Sequence, residues 1–206
     1  MKNLFKVFNL LFLVFVGFKG FGQEKFSNYQ NSYSKETYNI RIDSKDKESF
    51  FLFIDVFSLD RVHEVGGFAI NQKNYTGFIK AINDAKAKYE EWVNTAKINK
   101  VDELIKSMSF NSEVKAYFLF GDKWQLQDYV NLKFDFRIIE EDGEINYYLM
   151  ILSGELTSSS NQFMKIDGLA LVFSSPKEIE DFLSKISKEK IDVFLNKPKK
   201  EALFND

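Results

Sequence analysis

Residues 134–151 carry the sequence FDFRIIEEDGEINYYLMI, in which two runs of aromatic and β-branched residues flank Asp142-Gly143. An Asp-Gly pair in this setting predicts an antiparallel hairpin closed by a two-residue type I′ turn, because both central positions of that turn need a positive φ. Counting outward from the turn gives the register and places alternate residues on one face. That face is predicted to be core, and its pairs are Ile138–Tyr147, Phe136–Leu149 and Phe134–Ile151.

The reverse face of this hairpin is polar on one strand and apolar on the other. A solvated strand face would be polar throughout, so the apolar half needs a cover. We predict that the C-terminal helix covers it, and the alternative is a partner or a ligand. The register places Lys133, Asp135 and Arg137 opposite Tyr148, Met150 and Leu152. The candidate ligand-binding residues are Arg137, Tyr148, Met150 and Leu152.

Further runs along the chain have the composition of strands. Residues 38–43 and 49–58 flank the charged turn 44–48 and predict a second hairpin. Because the stretch Phe50–Ile54 is apolar on both faces, its strand is predicted to be central and covered on each side. The remaining strands are predicted over 67–70, 115–120, 124–126 with 129–139, and 168–173.

Three helices are predicted. The longest covers about Asn74–Ile98, where apolar residues recur at three- and four-residue spacing. The same spacing resumes over 101–108 and predicts a second, short helix. A C-terminal helix is predicted after Ser175, because that hydroxyl can cap it, Pro176 suits the first helical position and Glu178 can return to the backbone. Its buried stripe is Ile179, Phe182, Leu183 and Ile186.

These elements predict one α+β domain over residues 38–196. Its antiparallel sheet of about six or seven strands packs against the long amphipathic helix, with the C-terminal helix on a sheet face or edge. Residues 23–37 are polar with isolated aromatics and predict a flexible lead-in, and residues 197–206 predict a frayed tail. The strand-helix units that begin at Gly67 and Gly168 resemble each other, and whether they are a duplication stays open.

The first 22 residues predict a secretory signal peptide. Two lysines precede the apolar run Leu10–Phe18, which is too short to span a hydrocarbon core of ~30 Å. The small residues Gly20 and Gly22 stand just before Gln23, as a signal peptidase requires. The mature protein is therefore predicted to begin at Gln23, to be periplasmic or secreted, and to have no transmembrane anchor.

Composition excludes several function classes. The chain has 28 Lys and Arg residues against 30 Asp and Glu residues, and its three arginines are scattered. Nucleic-acid binding needs clustered cations, so nucleic acid is not predicted as a partner. The chain contains no cysteine, which excludes disulfides, thiolate metal sites and cysteine nucleophiles.

The one histidine, His63, is the centre of the only catalytic candidate. Asp60 and Glu64 flank it in sequence and could orient an imidazole for general-base catalysis. No Gly-x-Ser-x-Gly elbow supplies a nucleophile, which favours the alternative interpretation of a solvated loop histidine. We therefore predict that none of the three residues is catalytic.

Two acidic clusters are candidate cation sites. Residues 43–48 include two lysines and no glycine, and residues 140–144 form the tight hairpin turn, whose acids point outward. Calcium needs six to eight oxygen ligands from one loop, so both clusters are interpreted as solvated turns. No metal and no cofactor are predicted.

The leading hypothesis is an exported, non-catalytic binding or interaction module for an unidentified protein or small molecule. One alternative is a carrier of an apolar small molecule between sheet and helix, which requires a phenylalanine-lined cavity of at least ~300 Å³. The other is a hydrolase, which requires carboxylates that converge beside His63 in a cleft.

Overall fold

A computed structural model of the chain describes residues 23–46 and 49–197. The predicted signal peptide and all of the predicted tail except Lys197 lie outside the described residues. The strands are β1 (Glu24–Asn31), β2 (Glu36–Asp46), β3 (Ser49–Asp55), β4 (Phe57–Ser58), β5 (Gly66–Asn71), β6 (Leu104–Phe120), β7 (Lys123–Glu141), β8 (Glu144–Leu152), β9 (Leu156–Ser158), β10 (Asn161–Ile166) and β11 (Leu169–Phe173). The helices are α1 (Gln72–Asn99), α2 (Pro176–Lys185) and α3 (Lys188–Leu195). Within the described residues, no helix is long and apolar enough to cross a membrane.

Within the described residues, nine strands form one antiparallel sheet, in the order β1-β2-β3-β5-β6-β7-β8-β11-β4, and β9 pairs with β10 in a small separate sheet. The α+β class, the large antiparallel sheet, the long helix and the C-terminal helical segment are confirmed. The main sheet has nine strands where the sequence predicts six or seven, and two helices, α2 and α3, stand where one is predicted.

The hairpin of β7 and β8 has the predicted turn and register. Asp142 and Gly143 have φ values of 55° and 82°, as a type I′ turn requires. The paired residues are Ile138 with Tyr147, Phe136 with Leu149 and Phe134 with Ile151. The predicted core residues Phe134, Phe136, Leu149 and Ile151 are all fully buried. The local turn chemistry therefore fixes the register of the two strands.

Helix α1 packs on one face of the sheet, which is the inner face; the opposite face is the outer face. The Asn71 side chain caps the helix by accepting the amide of Asn74, and the helix ends where Lys100 adopts a left-handed φ of 52°. The predicted span Asn74–Ile98 lies within it. Its buried residues join those of α2, α3 and the inner face in one core cluster. Those of α1 are Tyr75, Phe78, Ala81, Ile82, Ala85, Tyr89 and Ala96.

The sheet curls back on itself. β3 and β4 are separated by Val56 alone, yet β3 is third in the strand order and β4 is last. One continuous stretch of chain therefore lies in the body of the sheet and at its far edge. At the other edge, Asn31 at the end of β1 donates its side-chain amide to the Val172 carbonyl of β11, at 2.9 Å.

The flexible lead-in predicted over residues 23–37 is instead a folded part of the sheet. β1 pairs with β2 along most of its length, from Glu24 opposite Ile42 to Asn31 opposite Glu36. The composition of this segment lacks a hydrophobic period, but Tyr29 enters the core and its hydroxyl donates to the Asp55 carbonyl at 2.9 Å. Contacts with β2 and β3 therefore fix this strand, although its sequence has no strand pattern of its own.

The short helix predicted over residues 101–108 is also wrong. Leu104–Met108 form the start of β6 and pair with β7, from Leu104 opposite Ile138 to Met108 opposite Phe134. Four apolar residues within eight positions fit a helical spacing by chance, and Ile105 is exposed. Pairing with a long, well-specified strand overrides the weak local pattern.

β3 is a central strand, as predicted, because β2 and β5 pair with it on either side. Its inner face is covered by the core through Phe50, Leu52 and Ile54. Its outer face is covered only in part, since Phe51 and Phe53 are half-buried there. Two aromatic side chains of this strand therefore reach the molecular surface.

Candidate functional site

The apolar half of the β7–β8 hairpin lies on the outer face, but α2 does not cover it. Tyr148 and Met150 pack with Ala170 and Val172 of the neighbouring strand β11, in a cluster separate from the core. Phe182 and Ile186, from the buried stripe of the predicted C-terminal helix, belong to the inner-face core instead. The prediction that the C-terminal helix covers the apolar half of this hairpin face is therefore wrong.

Helix α2 is held on the inner face by aromatic contacts. The Phe182 ring lies 5.1 Å from the ring of Tyr29 and 5.3 Å from that of Phe173, measured between centroids. The chain enters α2 from β11 on this side, and Ser175 caps the helix by accepting the Glu178 amide, as predicted. On the outer face, Tyr148 and Met150 are only 6% and 4% exposed without any contact from α2.

The turn between β1 and β2 folds over the outer face beside Tyr148. The Tyr33 ring meets the ring of Tyr148 edge to face at a centroid distance of 5.2 Å, and the ring of Phe57 at 5.6 Å. Lys35, with a left-handed φ of 60°, ends the turn. These contacts border an open depression of about 540 Å³, which we call the tyrosine groove. It is lined by Ser32, Tyr33, Ser34, Lys35, Phe57, Glu141, Asn146, Tyr148 and Ser174.

The tyrosine groove is braced from one side by Glu178. Its carboxylate accepts the backbone amide and the hydroxyl of Ser32, at 3.0 and 2.9 Å, and the same two groups of Ser174, at 2.8 and 2.9 Å. The two serine hydroxyls lie 2.6 Å apart. Because two backbone amides and the serine hydroxyls surround this carboxylate, Glu178 ties the turn to the start of α2 and is not left for chemistry.

The opposite wall holds a phenol and a carboxylate. The Tyr148 hydroxyl donates to a carboxylate oxygen of Glu141 at 3.3 Å. Burial, together with the negative charge of Glu141, raises the pKa of Tyr148 above its ordinary value. The phenol is therefore neutral at physiological pH and can both donate and accept hydrogen bonds.

Only one of the four predicted ligand-binding residues, Tyr148, lines the tyrosine groove. Arg137 lies outside it and donates to Asp135 at 3.3 Å, while Ser107 donates to the other oxygen of Asp135 at 2.8 Å. Met150 is buried in the outer-face cluster and Leu152 packs beside it. Tyr33 and Phe57 also line the groove and were not predicted, although an isolated tyrosine in a polar stretch is a signal for Tyr33.

The candidate catalytic residues form a structural loop. Asp60 accepts the amides of Val62 and His63, both at 2.9 Å, and the amide of Asp167 at 3.3 Å. The His63 ring stacks on Phe120 at a centroid distance of 4.2 Å, with its Nδ1 3.2 Å from Asp60 Oδ1. These contacts hold the shape of the loop.

Among the described residues, no catalytic triad is assembled around His63. The nearby Ser58 hydroxyl donates to the backbone carbonyl of His63, at 2.7 Å, rather than to its ring. Glu64 is exposed. The general base, the nucleophile and a convergent second carboxylate that hydrolysis would need are therefore not brought together at this loop.

Asp60 makes the stability of the protein depend on pH. Partial burial acts to raise the pKa of its carboxyl, but the amide hydrogen bonds that it accepts outweigh this and lower the pKa to about 2. An unfolded aspartate has a pKa near ~3.9. The stabilisation is therefore fully present above about pH 4 and is lost as the pH falls to about 2.

We expect Asp60→Asn to lower the free energy of unfolding by about 1–2 kcal/mol at neutral pH, because the charge is lost while an oxygen acceptor is kept. Urea unfolding of both proteins between neutral pH and about pH 2 measures the difference, which should shrink towards zero at the acidic end. A difference that is constant across this range would contradict a depressed Asp60 pKa.

Asp55, which interrupts an otherwise apolar strand, has two partners on the outer face. Its Oδ1 accepts the Arg41 guanidinium at 2.7 Å and the Tyr117 hydroxyl at 2.8 Å. Burial, together with the charge of Asp55, holds the pKa of Tyr117 well above its usual range. The carboxylate is thus compensated by a charged and a neutral donor.

A second depression, also about 540 Å³, lies among the helices, between α1 and the α2–α3 corner. It is lined by Tyr75, Thr76, Ile79, Lys80, Leu183, Ser187 and Lys188. It contains no phenylalanine and does not lie between α1 and the sheet. Between α1 and the sheet, the described side chains such as Phe68, Phe78 and Phe136 are packed together with at most 1% exposure.

Comparisons of the whole chain with protein-family models, with curated proteins and with solved structures give no match. The interpretation of the tyrosine groove therefore depends on its own geometry.

Proposed function

We propose that this chain is an exported, non-catalytic binding module that takes a neutral saccharide in the tyrosine groove. The observation that carries the proposal is the combination of three aromatic rings with a mixed set of hydrogen-bonding groups in one open groove. The C–H faces of a sugar pack on aromatic rings, and its hydroxyls both donate and accept hydrogen bonds.

The volume and charge of the groove suit such a ligand. About 540 Å³ lies within the range of small-molecule sites, roughly 300–1,000 Å³. Lys35 and Glu141 bring opposite charges to the groove, so it favours no net charge on the ligand. Donors and acceptors for hydroxyls come from Tyr33, Ser34, Asn146 and Tyr148.

The non-catalytic part of the proposal is supported by the carboxylates. Glycoside hydrolysis uses two of them on opposite sides of the bond that is cleaved. Of the acids at the groove, Glu178 is surrounded by the amides and hydroxyls of Ser32 and Ser174, and Glu141 accepts from Tyr148. Among the described residues this leaves no free pair of carboxylates at the groove.

Calorimetric titration with neutral oligosaccharides tests the groove, and cellohexaose, xylohexaose and maltohexaose are suitable probes. We expect at least one of them to bind and Tyr33→Ala to weaken it roughly tenfold, since an aromatic contact is worth about 0.5–1.5 kcal/mol beyond its buried area. Tyr129→Ala is the matched control, because Tyr129 is 78% exposed and does not line the groove.

Two results would contradict saccharide binding at this groove. One is the failure of every probe to bind the wild-type protein. The other is an affinity that Tyr33→Ala leaves unchanged. Tyr33 is partly exposed, so its truncation is expected to preserve the fold, and the circular dichroism spectrum of the variant checks this.

Export is tested by intact-mass analysis of protein recovered from the periplasm or medium of an expressing bacterium. We expect loss of residues 1–22 and a mature chain that begins at Gln23, because two small residues precede that position. Recovery of exported protein that keeps the leader would contradict cleavage at this site.

A further inference from the structure

The outward side chains of β3 and β4 form a line that leads into the tyrosine groove. Along this continuous chain, Leu52, Ile54 and Val56 enter the core. The residues between them point outward, about 7 Å apart along the strand. They are Phe51, Phe53, Asp55 and Phe57, and Phe57 is itself a wall of the groove.

Aromatic rings of neighbouring strands extend this line into an outer aromatic row, made of Phe51, Phe53, Tyr117 and Trp124. The centroid of the Phe53 ring lies 6.2 Å from that of Phe51 and 5.7 Å from that of Tyr117. The Tyr117 centroid lies 5.8 Å from that of Trp124. Successive rings are thus in contact across β3, β6 and β7.

Small residues of β5 let the side chains of β3 and β6 meet above this strand, and the Tyr117 ring lies over Gly67. Ala69 pairs with Phe53, and Gly67 pairs with Asp55, so no long side chain of β5 rises between the rings of β3 and β6. Phe51 and Phe53 are half-buried and Trp124 is 36% exposed. Tyr117 is only 7% exposed, so the solvent-facing aromatic surface of the row comes from Phe51, Phe53 and Trp124.

Polar groups stand where the outer aromatic row meets the tyrosine groove. Arg41 and Asp55 are ion-paired there at 2.7 Å, and their side chains keep 25% and 18% exposure. A guanidinium and a carboxylate side by side offer donors and acceptors together and no net charge, as the groove does with Lys35 and Glu141.

We propose that the outer aromatic row and the tyrosine groove are one elongated site for an unbranched neutral polysaccharide chain, an inference that depends on the proposed function. The outward residues from Phe51 to Phe57 cover about 20 Å, which is the length of several sugar units rather than of one. The groove binds one part of the chain, and the row binds the units that follow it.

Chain-length dependence tests the elongated site. Calorimetry compares cellobiose with cellohexaose, xylobiose with xylohexaose, and maltose with maltohexaose on the wild-type protein. We expect the hexasaccharide of the binding series to bind at least about tenfold more tightly than its disaccharide, because it gains further aromatic contacts. Phe53→Ala and Trp124→Ala should each reduce this gain and leave the disaccharide affinity unchanged.

The outcomes separate the two proposals. The elongated site would be overturned if the hexasaccharide and the disaccharide bind with equal affinity. It would also be overturned if the higher affinity of the hexasaccharide survives in both Phe53→Ala and Trp124→Ala. Either result would leave the groove as a short saccharide site. Binding of neither length would overturn the function itself. Phe53 is half-buried, so Trp124→Ala, at the more exposed end of the row, decides the result if Phe53→Ala does not fold.

Discussion

Phe136→Ala is expected to lower the free energy of unfolding by about 3–5 kcal/mol, since it removes a fully buried ring and leaves a cavity. Three aromatic rings surround this side chain. The centroid distances from Phe136 are 5.9 Å to Tyr89, 5.7 Å to Trp92 and 6.5 Å to Tyr147. The first two belong to α1 and the third to β8, so the cavity would open where helix and sheet meet.

Equilibrium urea unfolding at neutral pH measures this loss. The matched control is Ile105→Ala, because Ile105 pairs with Arg137 on the neighbouring strand and is 66% exposed. Its truncation is expected to change stability by no more than about 0.5 kcal/mol. Similar losses for the two variants would mean that Phe136 does not face the core.

Two glycine-to-alanine substitutions are expected to change stability in opposite directions. A Cβ at Gly67 would lie 2.2 Å from the Ile54 carbonyl oxygen and 2.2 Å from the Tyr117 hydroxyl. The backbone of β3 cannot yield without disturbing the ladder, so we expect Gly67→Ala to cost about 3 kcal/mol or more. Gly77 lies in α1 with nothing within 4 Å of its Cβ position, and Gly77→Ala should stabilise by about 0.5–1 kcal/mol.

Thermal and urea unfolding of both alanine variants test this contrast. Because each substitution adds one methyl group, the difference between them isolates the local surroundings of the two glycines. A Gly67→Ala protein as stable as the wild type would mean that β3 and β6 do not approach β5 as closely as described.

The β7–β8 hairpin could be predicted from the sequence because all its information is local. Asp142-Gly143 favours positive φ, and alternation on either side then specifies the core face. Helix α1 and the cap of α2 are predictable for the same reason. β1 could not be predicted, since its polar composition matches a loop and its place depends on β2 and on the contact of Asn31 with β11.

The tyrosine groove could be predicted only in part. Alternation along β8 placed Tyr148 on the outer face, and the mixed polarity of that face marked it as a surface to explain. Tyr33 and Phe57 join Tyr148 only because the sheet curls until distant parts of the chain meet. No local pattern encodes that closure, so the sequence does not show that these three rings meet.

The curl of the sheet also has a consequence for how the protein folds. Its last pairing joins Phe57 to Ala170 and Ser58 to Leu169, partners separated by more than half of the chain. Such non-local pairing carries a large loop-closure entropy and slows folding. Until β11 arrives, β4 and the end of β1 remain as unpaired edges that can recruit other chains. We therefore expect this protein to be most prone to aggregation while its C-terminal third is still unpaired, and to lose that tendency once the two ends of the sheet have met.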